Sequence, residues 1–64
     1  MENFGERLRE ARRKKGVTQE WMAKQLHIHR STYTKYESGS VEPSLGSFLQ
    51  LVKLLDLDPM DLLE

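Results

Sequence analysis

The stretch Gln19-Glu-Trp-Met-Ala-Lys-Gln-Leu-His-Ile-His-Arg-Ser-Thr-Tyr-Thr-Lys-Tyr-Glu-Ser38 contains two short helical patterns joined by a turn too tight to let them lie antiparallel. Met22, Leu26, Ile28, Tyr33 and Tyr36 fall where the inward faces of such a pair must be apolar, and Ala23 is small enough to allow close helix crossing. This is the layout of a helix-turn-helix. Its second helix leaves His29, Arg30, Ser31, Thr34 and Lys35 facing outward, a group rich in donors suited to base edges and phosphates. The tyrosines could in principle stack on bases, but their spacing on the apolar face favours core packing.

The first helix is expected from about Asn3 to Lys15, with Phe4, Leu8 and Ala11 on one face and Gly16 as a left-handed stop. Thr18 is placed to cap the second helix, with Val17 before it as a hydrophobic staple. That helix ends near Leu26. His27 occupies the turn, where a positive φ is expected. The second helix of the pair runs from about Arg30 to Glu37 and is stopped by Ser38-Gly39. Ser44 then caps a fourth helix whose inward stripe is predicted as Leu45, Phe48, Leu49, Val52 and Leu55. Asp58 caps a last short helix, with Pro59 in its first position and Met60, Leu62 and Leu63 offering apolar surface. The prediction is all-α: one domain spanning residues 1–64, a compact bundle of about five short helices.

A chain of 64 residues buries only a modest core, roughly 60 % of its unfolded surface. It has no cysteine, so neither a disulfide nor a zinc site of the usual Cys/His kind is available. His27 and His29, two residues apart across a turn, make a poor metal site, so no metal or cofactor is expected. Apolar runs are far shorter than a membrane span, and the N-terminus lacks the apolar stretch of a signal peptide. The expected setting is cytoplasmic.

Zero net charge conceals a strong segregation. Residues 1–36 hold nine basic and four acidic side chains, a surplus of five positive charges, and residues 37–64 hold one basic and six acidic, a surplus of five negative. One part of the domain therefore attracts phosphate and another repels it. Gln19, at the amino end of its helix, is placed to hold a backbone phosphate with its amide and side chain, where the helix dipole favours an anion. No nucleophile–base series, paired carboxylates or glycine-rich phosphate loop points to an enzyme or a small-molecule substrate.

The chain resembles the Cro/repressor-type helix-turn-helix domain, the lambda repressor-like fold. The resemblance rests on Phe4-Gly-Glu-Arg-Leu-Arg-Glu-Ala-Arg12, Gly16-Val-Thr-Gln19, Met22-Ala23, Leu26, Tyr36-Glu-Ser-Gly39, Pro43-Ser44, Leu54-Leu-Asp-Leu-Asp-Pro59 and Leu62-Leu63. It implies a transcriptional regulator, expected to be a repressor, that binds a pseudo-palindromic operator in double-stranded DNA as a homodimer. It also implies that His29, Arg30, Ser31, Thr34 and Lys35 enter the major groove, and that Arg12 and Glu37 form a partly buried ion pair. The sequence departs from the family pattern at Ser40 and Glu42, where phosphate-binding charge is lost, and at His27, which replaces the usual turn glycine. Met60, Leu62 and Leu63 are the expected dimer contact, although covering the core explains them equally well. Trp21 is expected on a flank of the second helix, partly exposed. The rival reading keeps the fold but makes it an antitoxin or adaptor-type module that grips a protein through Trp21 and the last helix. Steep weakening of duplex binding by salt would separate the two.

Overall fold

The computed structural model describes residues 3–63, and most helix boundaries in it have a local cause. Helix α1 spans Phe4–Lys15 and ends at Gly16, whose φ of 80° lets its amide reach the carbonyls of Arg12 and Arg13. Helix α2 (Gln19–Leu26) starts at Thr18, whose hydroxyl accepts from the Trp21 amide at 3.0 Å. It stops at His27, which adopts the left-handed conformation with φ 56°. Helix α3 (Arg30–Ser38) runs one residue past the expected end before Gly39 turns the chain at φ 82°.

Ser44 caps α4 (Leu45–Leu54) by accepting from the Ser47 amide. At α5 (Pro59–Leu63) the capping is reciprocal: Asp58 accepts from the Met60 amide, and Asp61 reaches back to accept from the Asp58 amide, both at 3.0 Å. The described residues form five helices and no strand.

Helix α1 packs on α3 and α5, α2 on α3 and α4, and α4 on α5. The shared core includes Phe4, Leu8, Met22, Ala23, Leu26, Tyr33, Tyr36, Phe48, Leu51, Leu55 and Leu62. Phe4 and Phe48 lie with ring centroids 6.2 Å apart, and Tyr33 meets Tyr36 edge-on at 6.3 Å. Both tyrosine rings are therefore committed to packing.

Two expectations about the apolar faces need correction. Leu45 and Leu49 do not line the core: they are 74 % and 53 % exposed, while Leu51, absent from the predicted stripe, is fully buried. With about 100° of rotation per residue, Phe48, Leu51 and Leu55 form an inward stripe rotated away from the one expected, with Val52 at its edge. Leu62 is likewise sealed in the core, so of the three apolar residues of α5 only Met60 and Leu63 present surface.

Candidate nucleic-acid interface

Helix α3 divides its side chains between two jobs. Tyr33, Tyr36 and Glu37 are buried, whereas Arg30, Ser31, Thr34, Lys35 and Ser38 share the opposite, exposed face. His29 is exposed at the entry to this face. It occupies the N-cap position in extended backbone, but its side chain makes no capping bond and so is not consumed by the helix. The Thr34 hydroxyl donates to the Arg30 carbonyl at 2.9 Å, which leaves its methyl and its oxygen lone pairs outward. Ser38 donates to the Lys35 carbonyl and pairs with Ser40. Ser38 belongs to the helix and not to its stop signal. It lies on the same face, visible once the helix is counted one residue longer.

The opposite side of α3 is anchored by a charged cluster. Arg12 and Glu37 form the ion pair that the resemblance implied: Nε donates to Oε2 at 2.6 Å, and Nη2 donates to Oε1 at 3.3 Å. Arg12 Nη1 also donates to the Val17 carbonyl, which ties in the α1–α2 turn. Glu37 is 1 % exposed. Burial alone would raise its pKa. Hydrogen bonds from Arg12, with contributions from Tyr33 and Gln19, overcome that and hold it below the ordinary value. Arg12 is raised by the same bond.

The Tyr33 hydroxyl, buried beside the pair, has no partner of good hydrogen-bond geometry among the described residues. It nonetheless interacts with the carboxylate, and its pKa is raised first by burial and then by Glu37.

Gln19 differs most from expectation. Its half-buried side chain turns to the charged cluster, with Nε2 donating to Glu37 Oε1 at 3.0 Å. The partner stands 18 residues away in sequence, so no local pattern could have revealed it. Arg9 approaches the same oxygen at 3.6 Å, a second link with no local sequence signal. Trp21 is half-buried against the core, with the Lys15 ammonium 5.8 Å from its ring centroid.

Among the described residues no cluster of three His, Cys, Asp or Glu side chains could hold a metal, and no helix is long and apolar enough to cross a membrane. Exposed Leu45, Leu49, Met60 and Leu63 extend apolar surface over α4 and α5. Pro43, Leu45, Phe48 and Leu63 line a shallow depression there.

Comparison with known proteins matches residues 3–64 to the helix-turn-helix domain family. The SPbeta prophage-derived HTH-type transcriptional regulator YonR of Bacillus subtilis is 46 % identical over 52 residues, 81 % of this chain and 48 % of that protein. The HTH-type transcriptional activator BcrR of Enterococcus faecalis is 35 % identical over 60 residues, 94 % of this chain and 29 % of that protein. The chain thus spans about half the length of YonR, and less of BcrR. The crystal structure of the restriction-modification controller protein C.AhdI from Aeromonas hydrophila superposes with a TM-score of 0.85 at 40 % identity, covering 94 % of this chain and 91 % of that one.

Proposed function

This chain belongs to the helix-turn-helix domain family, and on that premise we propose that it is the duplex-DNA-binding unit of a transcriptional regulator. Its relatives are named as transcriptional regulators, and its structural neighbour as a restriction-modification controller. The observation that carries the reading is the division of α3: a face of exposed donors, Arg30, Ser31, Thr34 and Lys35 with His29 at its entry, backed by a buried anchor. Arg30 and Lys35 have the chemistry to donate to guanine O6 and N7. Ser31 and Thr34 can serve several bases, and the threonine methyl can meet a thymine methyl. Gln19 serves the DNA backbone through its main-chain amide and the second proton of its carboxamide.

One recognition helix reads only a few base pairs, so we take the working form to be a two-fold dimer on a pseudo-palindromic operator, with half-sites roughly 34 Å apart. The exposed apolar surface of Leu45, Leu49, Met60 and Leu63 supports a contact between copies, and Leu62 plays no part in it. We take the regulator to be a repressor working in the cytoplasm.

Selection of bound sites from a random duplex library tests it. The expected product is an inverted repeat bound with strong salt dependence. Binding indifferent to salt, or no enrichment at all, would transfer the fold to the protein-gripping alternative.

A further inference from the structure

A carboxamide has two unlike ends, and a phosphate tolerates only one of them. Gln19 turned with its NH2 group toward the DNA backbone donates to it, and the same group flipped presents an oxygen that repels. The structure contains a device that chooses between these states. Glu37, as a carboxylate, only accepts, and its Oε1 takes Gln19 Nε2 at 3.0 Å. The NH2 end is thereby selected, and the second proton of this planar group necessarily points away from the first. Neutralisation of Glu37 does not require this bond, because Arg12 already meets both carboxylate oxygens and Arg9 stands 3.6 Å from one of them.

The local backbone adds to the same set of donors. At the start of α2 the Trp21 amide is used by the Thr18 hydroxyl and the Met22 amide by the Thr18 carbonyl. The amides of Gln19 and Glu20 have no acceptor within the helix.

We infer that Glu37 is a positioning residue for the contact between Gln19 and a DNA phosphate: the carboxylate at the end of α3 holds the α2 carboxamide so that a proton faces the backbone. The inference rests on the phosphate contact proposed above. It links the helix that reads bases to the helix that grips phosphate through one side chain touching neither.

A double-mutant cycle on a selected duplex tests it, with the folded state of every variant verified by circular dichroism. Gln19→Ala should weaken binding roughly tenfold in the native background, as expected for a hydrogen bond to a charged group. In a Glu37→Gln background, where the carboxamide is free to flip, the same change should cost no more than about twofold. A purely structural Glu37 would leave the tenfold loss intact in both backgrounds, and that result overturns the inference.

Should Glu37→Gln not fold, the Gln19 side-chain amide resonances of the native protein decide. Saturating duplex should shift one amide proton and leave the Glu37-bonded proton in place. Loss or movement of both overturns the inference. If Gln19→Ala binds as well as the native protein, the phosphate contact and its positioning fall together while DNA binding stands. If the native protein binds no duplex, the DNA-binding reading itself fails.

Discussion

At the scale of single residues, Glu37 concentrates the most consequence. It is a nearly inaccessible charge held by donors from two other helices, and removing its main partner leaves it only Gln19 and the more distant Arg9. Arg12→Ala should cost about 3 kcal/mol of unfolding free energy, measured by denaturant titration. The pH dependence follows from the directions of two shifts. Glu37 titrates below its ordinary 4.5 when folded, so under acid the unfolded chain binds more protons and stability drops as pH falls from about 4.5 through the lowered folded value. Tyr33 titrates above its ordinary 10.0 when folded, so its contribution is complete below that pH and is lost as pH rises beyond it. Melting temperatures across the pH range should therefore form a plateau with two falling edges, and Arg12→Ala should flatten the acid edge.

Backbone geometry makes two further residues informative. A Cβ on Gly5 would overlap the Glu37 carbonyl, so Gly5→Ala must push α1 off α3 and should destabilise by about 1–3 kcal/mol in the same titration. His27→Gly, at φ 56°, should act oppositely, raising stability by on the order of 1 kcal/mol while duplex affinity is retained.

At the scale of elements, α4 supplies the sharpest test. Leu51→Ala should cost about 2–5 kcal/mol because it empties a fully buried site, whereas Leu49→Ala should stay within about 0.5 kcal/mol for the isolated domain. The two residues are adjacent in kind and nearly in number, and their different fates show where sequence reading stops. Helix ends were readable because Gly16, Thr18, Ser44 and Asp58 act on atoms a few bonds away. The buried face of α4 was readable only in part, at Phe48, Val52 and Leu55. Leu45, Phe48, Leu49, Leu51, Val52 and Leu54 make that helix apolar on nearly every side, and only packing against α2 and α5 selects among them. The outward face of α3 could be read because its tyrosines and its polar residues alternate with a single clear period. The inward bond of Gln19 depends on a tertiary partner and could not.

At the scale of the whole molecule, the proposed dimer separates from the fold in a measurable way. Leu63→Glu places charge on exposed surface beside the depression shared with Leu45 and should leave the melting temperature of the isolated domain nearly unchanged. Sedimentation with a selected duplex should nevertheless show the two-protomer complex reduced to one, and an unaltered stoichiometry would remove α5 from the contact. The two-sided build of α3 bears on divergence. The side chains facing out from this helix carry none of the core, and those facing in carry none of the proposed reading. If those outward side chains do the reading proposed for them, a lineage could exchange residues 30, 31, 34 and 35 one at a time at little cost to the fold, and its choice of site would drift while the scaffold stayed fixed.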